Sequence, residues 1–241
     1  MSASLLATLI LERQPCVVLT GAGISTESGI PDFRSPTGIW ADIDPVEVAS
    51  IDAFRRSPER VWEFYGRRLG MLGDIRPNAG HQAIVELERR GLVQAVVTQN
   101  VDGLHQTAGS RDVVEVHGSL ATAVCPECGA RVPIDDVRRM LDLAPVPLCV
   151  ECGVPLKPGV VMFGELLPVA AIDRATSLAR TAGLVLVVGS SLEVWPVAGL
   201  PLEAAAFAVV NLGPTTLDEQ ALLKIEAGAG ETLAAVVAEL A

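Results

Sequence analysis

The sequence has few basic and few aromatic residues. Lysine and arginine total 18 against 29 aspartates and glutamates, the net charge is −11, and aromatic residues make up 4% of the 241-residue chain. Proteins that bind nucleic acid or anionic membranes usually carry a basic patch, so this balance argues against both partners. A basic, lysine-rich protein segment would be attracted instead.

Long hydrophobic runs are also lacking. The apolar run from Leu5 to Leu11 is interrupted by Thr8 and ended by Glu12. It is too short to span a bilayer, and it lacks both a basic leader and a small-residue cleavage site. We interpret it as an amphipathic first helix, and we expect no membrane contact and a cytoplasmic location.

Apolar runs that end in polar residues alternate with helical patterns along most of the chain. Strands that are apolar on both faces are typical of a parallel sheet covered by helices. The predicted strands lie within residues 16–25, 93–100, 113–118, 184–191 and 207–213. The predicted helices cover residues 80–90, 101–107, 170–182, 198–206, 217–224 and 230–240. This alternation predicts an α/β fold with a Rossmann-like, doubly wound parallel sheet.

Two stretches interrupt the alternation. Residues 34–77 contain helices and turns without a buried strand, and residues 119–159 are rich in Cys, Pro and Gly. We interpret them as insertions that together form a smaller domain beside the sheet. The Rossmann-like domain then comprises residues 1–33, 78–118 and 160–241.

Four of the five cysteines are arranged in two pairs. Cys125 and Cys128 are separated by two residues, as are Cys149 and Cys152, and twenty residues lie between the pairs. This spacing is typical of a zinc ribbon, in which four thiolates hold one tetrahedral Zn²⁺. Disulfides would need an oxidising compartment, and a catalytic zinc would need an open coordination position. We therefore predict one structural zinc ion, and we expect Cys16 to be a core residue.

A glycine turn follows the first predicted strand. Gly21 and Gly23 would let the backbone approach a pyrophosphate, but Thr26 replaces the third glycine of the usual fingerprint. A close-packed turn without a ligand is therefore the alternative. Polar side chains also follow the other predicted strands; they are Gln99, Asn100, Asp102, His117, Ser190, Ser191 and Asn211. Because the carboxyl ends of parallel strands meet at one edge, these residues predict a lined cleft.

His117 is the best candidate for acid–base chemistry in this cleft, because an imidazole titrates near neutral pH. His81 opens a predicted helix and His105 lies on another, so we expect both to be structural. Arg68 is also unusual, because it lies on a predicted helix one turn from Phe64, Tyr65, Met71 and Leu72. It is either a surface arginine whose stem covers apolar atoms or a receptor for an anion.

Several segments together resemble the sirtuins, a family of NAD-dependent protein-lysine deacylases. Besides the cysteine pairs, they are GAGIS (21–25), SGIPDFR (28–34), TQNVDGLH (98–105), VHG (116–118), KPGVVMFGE (157–165), GSSLEVWPV (189–197) and VVNLG (209–213). The resemblance runs from about residue 12 to 225 and keeps the family's motif order. It implies that NAD is a co-substrate, that nicotinamide is released, and that the acyl group passes from lysine to ADP-ribose.

The resemblance also implies the roles of particular residues. His117 would be the catalytic base for a ribose hydroxyl. A cofactor loop lies in residues 34–77, and Phe33, directly before them, would shield the reactive carbon from water. The implied cofactor-binding residues are Gly21, Ala22, Gly23, Thr26, Asp32, Phe33, Arg34, Gln99, Asn100, Val101, Asp102, Gly189, Ser190, Ser191, Asn211 and Leu212. Residues 226–228 depart from the family pattern and receive no role.

An acylated lysine in a protein segment would bind as an added strand between residues 161–165 and 192–194. The implied substrate-binding residues are Ala49, Tyr65, Arg68, Val161, Phe163, Gly164, Glu165 and Val194. Core packing is the alternative for Phe163 and Val194.

Tyr65 and Arg68 have the Tyr-x-x-Arg spacing with which one sirtuin branch, the desuccinylase type, grips an acyl carboxylate. Ala49 matches the small residue that this branch keeps, whereas Asp32 is more common in deacetylase branches. The resemblance therefore implies removal of succinyl or malonyl groups together with some deacetylation, by a chain that we expect to be monomeric. The alternatives are a mono-ADP-ribosyltransferase and a catalytically silent zinc-ribbon module that senses NAD.

Overall fold

The computed structural model describes residues 2–240. Within this range the strands are β1 (Cys16–Thr20), β2 (Val93–Thr98), β3 (Val113–Glu115), β4 (Gly118–Val124), β5 (Arg131–Pro133), β6 (Lys157–Val160), β7 (Leu184–Val188), β8 (Phe207–Val210) and β9 (Leu223–Ile225). The α-helices are α1 (Ser2–Glu12), α2 (Pro45–Val48), α3 (Ile51–Arg56), α4 (Pro58–Leu72), α5 (Ala79–Arg89), α6 (Leu104–Ala108), α7 (Ile134–Leu141), α8 (Val169–Thr181) and α9 (Ala229–Glu239).

Six strands form a parallel sheet in the order β3-β2-β1-β7-β8-β9. The chain proceeds from β1 toward one edge and later returns to β7 on the other side of β1. This reversal is a topological switch point, where open α/β sheets bind their ligands. The sequence-based prediction of a Rossmann-like parallel sheet is therefore confirmed.

Helices cover both faces of this sheet, because its strands are apolar on both sides. On one face α1, α5 and α9 bury residues such as Leu6, Ile84 and Leu233. On the other face α8 packs through Ala175 and Ala179, together with a 3₁₀ segment at Val197–Glu203. The sheet is therefore completely sandwiched, and the loops at its carboxyl edge remain for binding.

A third core lies beside the sheet. The remaining strands form an antiparallel sheet in the order β5-β4-β6, and α4 packs against it. Trp62 is 1% exposed, and its indole Nε1 donates a hydrogen bond of 2.7 Å to the Leu156 carbonyl oxygen. The two stretches that interrupt the strand–helix alternation thus pack against each other.

The predicted helix at residues 217–224 is wrong. That segment contains a 3₁₀ turn at Asp218–Gln220 followed by β9, which pairs in parallel with β8. Three residues are too few to show an alternating pattern, and the free edge of β8 supplies the hydrogen bonds that decide the structure. The segment predicted as a helix at 198–206 is a 3₁₀ helix containing Pro201, which has no N–H for an α-helical bond.

None of the helices within residues 2–240 is both long enough and apolar enough to cross a membrane.

Candidate active site

A cavity of about 1340 Å³ opens at the carboxyl edge of the parallel sheet, between the sheet and the third core. Every residue predicted to bind cofactor or substrate lines this cavity, except Asp102. His117 lines it as well. Residues that are dispersed over almost two hundred positions of the sequence therefore meet in one place.

The glycine turn lies directly against the end of β7. A Cβ atom on Gly21 would lie 2.8 Å from the Gly189 carbonyl oxygen, and one on Gly23 would lie 2.8 Å from the Gly189 Cα. Gly189 itself has φ +63°, and a side chain there would collide with the Ile24 nitrogen. Close packing of two turns thus already requires these glycines, and the segment after the turn is a 3₁₀ helix, Ala22–Ser28.

The loop after this 3₁₀ helix is organised by Asp32. Its carboxylate oxygen Oδ1 accepts hydrogen bonds from the backbone N–H groups of Arg34 (2.9 Å) and Ser35 (2.8 Å). The Arg34 guanidinium lies 3.1 Å from the Glu193 carboxylate on the opposite side of the cavity. Asp32 therefore shapes the loop from within, and Arg34 connects it to the β7 side.

His117 is held in a defined tautomer. Its Nδ1 lies 3.1 Å from the Gln99 carbonyl oxygen, and because a carbonyl oxygen can only accept, Nδ1 carries the proton. Nε2 is then left with its lone pair. Burial lowers the pKa of His117, the Gln99 hydrogen bond opposes that shift, and the nearby Arg34 cation lowers the pKa further. The imidazole is therefore neutral at physiological pH and ready to accept a proton.

The backbone around His117 is fixed as well. Its carbonyl oxygen accepts a 2.8 Å hydrogen bond from the Val161 N–H. The next residue, Gly118, has φ +73°, and a Cβ atom there would collide with the Gly159 carbonyl oxygen. The histidine is thus positioned where the two sheets meet.

A polar network lies behind the cavity wall. The Ser25 hydroxyl donates to Asp102 Oδ2 (2.7 Å), and the Asn100 side-chain amide donates to the Gly21 carbonyl (3.1 Å). Asp102 Oδ1 accepts from the Leu104 N–H at 3.0 Å. Asp102 therefore lies in the second layer of the wall, and its predicted contact with a nicotinamide stays a prediction.

The two other histidines lie deeper in this network, as expected for structural residues. His81 and His105 are 0% and 1% exposed, and their ring centroids lie 4.9 Å apart. His105 Nε2 lies 2.9 Å from the Thr20 hydroxyl. Burial lowers the pKa of His105 to about 3, with the neighbouring His81 as a second cause.

On the β7 and β8 side, polar groups face one another across the strand ends. The Gln99 side-chain amide donates a 2.9 Å hydrogen bond to the Ser190 hydroxyl. The Asn211 amide donates to the carbonyls of Leu212 (3.0 Å) and Gly213 (3.2 Å), which fixes the turn after β8. This side of the cavity offers hydroxyl and amide groups suited to hydrogen bonding with a nucleotide.

Tyr65 and Arg68 project from α4 into the opposite end of the cavity. Tyr65 is 6% exposed, and burial raises the pKa of its phenol, with the Arg68 cation opposing the shift. Arg68 is half-buried, and burial lowers the pKa of its guanidinium while Tyr65 and Asp102 raise it. None of the salt bridges within residues 2–240 involves Arg68. Arg68 is therefore not a fully exposed surface arginine, and its role as a receptor for an anion stays a prediction.

The groove predicted for a peptide is bounded by residues 161–165. The Phe163 N–H donates to the Ala49 carbonyl (2.9 Å), and the Phe163 side chain is 45% exposed. Core packing is thus excluded for Phe163, while Val194 is half-buried. Glu165 closes the turn, because its carboxylate accepts from the Met162 N–H (2.8 Å) and lies 3.0 Å from Lys157 Nζ.

The four paired cysteines converge away from the cavity. Their sulfur atoms all lie within 4.8 Å of one another, and the sulfurs of Cys128 and Cys149 are 3.8 Å apart. A zinc ion bound at about 2.3 Å by four thiolates has sulfur–sulfur distances of roughly 3.8 Å, so this cluster could hold one structural zinc ion. Gly129 and Gly153, at φ +73° and +70°, follow the two Cys-x-x-Cys turns. Cys16 lies elsewhere, fully buried in β1.

Several cavity residues were not identified from the sequence. Trp40 and Phe64 stack at 5.7 Å between ring centroids, and Trp195 forms an exposed part of the rim. Residues 227–229 also line the cavity, and the first two of them belong to the segment 226–228, for which the resemblance implies no role. In the sequence, Trp40 is marked only by its position, an aromatic residue that follows a segment rich in Ser, Pro and Gly.

This fold and this cavity define a Rossmann-like nucleotide-binding protein with a neutral histidine at the carboxyl edge of its sheet. A model of the Sir2 family matches residues 21–196. The chain is 51% identical to "NAD-dependent protein deacetylase 1" of Geobacillus kaustophilus, over 85% of this chain and 84% of the relative. It is 46% identical to "NAD-dependent protein deacylase 2" of Pyrobaculum aerophilum, over 97% and 94%.

A solved Sir2 structure with a deacetylated p53 peptide and 3′-O-acetyl ADP ribose superposes with a TM-score of 0.95. Its identity to this chain is 40%, over 99% of this chain and 98% of that one. The chain therefore belongs to the Sir2 family.

Proposed function

We propose that this chain is an NAD-dependent protein-lysine deacylase that removes succinyl or malonyl groups as well as acetyl groups. Family membership supports the enzyme class, since its relatives carry the names deacetylase and deacylase. The acyl preference depends on one observation. The buried Tyr65 and the half-buried Arg68 lie in the same cavity as His117, and no carboxylate within residues 2–240 forms a salt bridge with Arg68.

NAD supplies a nicotinamide–ribose bond whose breakage leaves the ribose carbon open to the acyl oxygen. The chain offers His117 Nε2 as the base for a ribose hydroxyl, because Nδ1 is committed to the Gln99 carbonyl. The imidazole must be neutral for this role, because a protonated imidazole has no free lone pair to accept the proton. The solved Sir2 structure that holds a peptide and 3′-O-acetyl ADP ribose is consistent with this transfer.

The arrangement of the cavity suits NAD along its whole length. The glycine turn and Ser190 would face the phosphates, while Asn211 and Leu212 would lie on the adenosine side. Phe33 would cover the reactive end of the ribose and exclude water. Asn100 and Val101 would lie beside the nicotinamide, with Asp102 behind them.

Tyr65 and Arg68 would hold the carboxylate at the end of a succinyl or malonyl chain. A guanidinium and a phenol one helical turn apart can both donate hydrogen bonds to one carboxylate. Ala49, 5% exposed and lining the cavity, leaves room for the longer acyl chain. The low-dielectric surroundings strengthen these bonds and make a neutral acetyl group the poorer partner for the cation.

The test is the specificity ratio, which is kcat/KM for a succinyl-lysine peptide divided by kcat/KM for the matching acetyl-lysine peptide. Losing a charge-assisted contact costs about 1.5–3 kcal/mol, so Arg68→Met should lower the ratio roughly 10- to 150-fold. Tyr65→Phe should lower it less, because it removes one neutral donor. Arg67→Met is the matched control, since Arg67 is exposed and paired with Glu63 one turn away. An unchanged ratio in Arg68→Met would refute the acyl preference.

The mono-ADP-ribosyltransferase alternative is not favoured by the relatives' names. A silent NAD sensor would not need the proton acceptor that His117 presents. Both alternatives predict that no deacylated peptide accumulates with NAD.

Three further parts of the proposal concern the whole chain. Residues 34–77 and 119–159 would form the smaller domain, supported by the core that joins α4 to the three-stranded sheet. The zinc site needs four reduced thiolates, which favours a reducing compartment such as the cytoplasm. A monomer is expected, and its mass in solution would check this.

A further inference from the structure

Four side chains connect the cofactor loop to α4. The rings of Phe33 and Trp40 stack with centroids 5.2 Å apart, and Trp40 stacks on Phe64 at 5.7 Å. The guanidinium carbon of Arg68 lies 5.1 Å from the Phe33 ring centroid and 5.9 Å from that of Phe64. We call these four residues the aromatic clamp.

The backbone places the two loop members of the clamp side by side. The Ile39 N–H donates to the Asp32 carbonyl at 2.8 Å, and the Trp40 N–H donates to the Phe33 carbonyl at 3.0 Å. The loop therefore closes on itself, and Phe33 and Trp40 emerge at its neck. Closure alone does not attach the loop to the remainder of the protein.

The attachment of these two rings to α4 comes from the other clamp contacts. Trp40 stacks on Phe64, and the Arg68 guanidinium carbon lies over the Phe33 ring. Stacked rings and cation–π pairs contribute stabilising free energy in addition to the free energy of burying their apolar area. On the opposite side the loop has the exposed Arg34–Glu193 pair, and exposed ion pairs contribute little.

Arg68 can therefore serve two partners at once. Its guanidinium carbon lies over the rings of Phe33 and Phe64, while none of the salt bridges within residues 2–240 uses its N–H groups. A carboxylate that binds these N–H groups can leave the contact with Phe33 in place. A lysine in place of Arg68 would offer a compact ammonium group, which has no planar group to stack on an aromatic ring.

We propose that Trp40 and Arg68 are positioning residues for the reaction: they hold Phe33, and with it the cofactor loop, over the end of the cavity where the ribose reacts. The proposal rests on the proposed function for the identity of the co-substrate. It assigns Arg68 a role with every acyl substrate, in addition to its role with carboxylated ones. Trp40, in contrast, acts on the loop alone.

The experiment uses an acetyl-lysine peptide, which has no carboxylate for Arg68 to bind. With a loosened loop, NAD must order it on binding, so the KM for NAD should rise about 3- to 10-fold in both Trp40→Leu and Arg68→Met. The fraction of NAD that water captures should rise too, since the shield over the ribose carbon is misplaced. In that side reaction nicotinamide leaves with the bonding electrons, water adds to the carbon and loses a proton, and free ADP-ribose forms.

Three controls make the outcome decisive. Trp40→Phe keeps an aromatic ring that can stack, so its KM for NAD should lie within about twofold of the wild-type value. If Trp40→Leu raised the KM only because the protein misfolds, a ring at this position would not be expected to restore it. Arg67→Met should leave both readouts unchanged. The combined Trp40→Leu/Arg68→Met variant should lose less than the product of the single losses, because both residues act on one loop.

A KM for NAD that stays within twofold of wild type in Trp40→Leu, or a rise that Trp40→Phe does not reverse, overturns the clamp. A separate outcome of the same variants tests the proposed acyl preference. If Arg68→Met raises the KM for NAD but leaves the succinyl-to-acetyl ratio unchanged, the clamp stands and the carboxylate role falls. Trp40→Leu should leave that ratio within twofold of wild type.

Discussion

Acidification should destabilise this protein through the buried imidazole of His105. The ring is 1% exposed and bonded to Thr20, and its pKa falls from 6.5 to about 3 because burial penalises the charged form. In the unfolded chain the ring keeps its ordinary pKa. Between these two values the unfolded state binds more protons, so the stability that is present at neutral pH is lost as the pH falls.

The size of this effect follows from the two pKa values. Near pH 5 the unfolded ring is almost fully protonated and the folded ring is not, which costs about 2 kcal/mol relative to neutral pH. The complete difference, reached only below pH 3, is about 5 kcal/mol. His81 contributes in the same direction, because burial also lowers its pKa.

The assay is urea unfolding of wild type and His105→Gln at several values from about pH 7 to 5. Glutamine keeps an amide that can bond to Thr20 but does not titrate in this range. The variant should be less stable at pH 7 and should lose about 2 kcal/mol less on acidification. The other titrating groups are present in both proteins, so the difference between the two profiles reports His105 together with its coupling to the neighbouring His81. Parallel profiles would refute the reasoning.

Two other predictions concern the backbone and the metal. Gly118→Ala should cost about 3 kcal/mol or more in urea unfolding, because a side chain would be strained at φ +73° and would collide with the Gly159 carbonyl. Gly103→Ala is its control, since φ is +71° but no atom lies within 4 Å, so only about 1 kcal/mol of strain is expected; equal losses would contradict the packing argument. Removing zinc with a chelator should lower the thermal midpoint and disorder the three-stranded sheet, followed by circular dichroism. Cys16→Ser should still bind one zinc per chain, and loss of the metal in that variant would contradict the four-cysteine assignment.

Much of the architecture could be predicted, because it depends on local signals. The spacing of Cys125, Cys128, Cys149 and Cys152 indicates a metal site without knowledge of the fold. The continuous apolar strands indicate a sheet covered on both faces, and polar residues at their ends indicate where the site lies. Arg68 was conspicuous because a permanent cation on an apolar helix face needs a reason.

The parts that could not be predicted depend on contacts between distant segments. The strand β9 exists because β8 offers it an edge, and its three residues carry no pattern of their own. Trp40 matters because it stacks on Phe64, twenty-four positions away, across a loop whose path no local pattern specifies. Asp102 follows a strand end, yet its carboxylate turns behind the cavity wall to bond Ser25. Strand pairing, loop path and side-chain direction are thus the properties that tertiary structure decides.

The most direct measurement of the central claim is the mass of every product formed from NAD and an acyl-lysine peptide. The account predicts nicotinamide, free lysine peptide and O-acyl-ADP-ribose in equal amounts, with succinyl and acetyl peptides both consumed by wild type and neither by His117→Ala. ADP-ribose attached to a protein side chain, or an acyl peptide left intact in the presence of NAD, would contradict it.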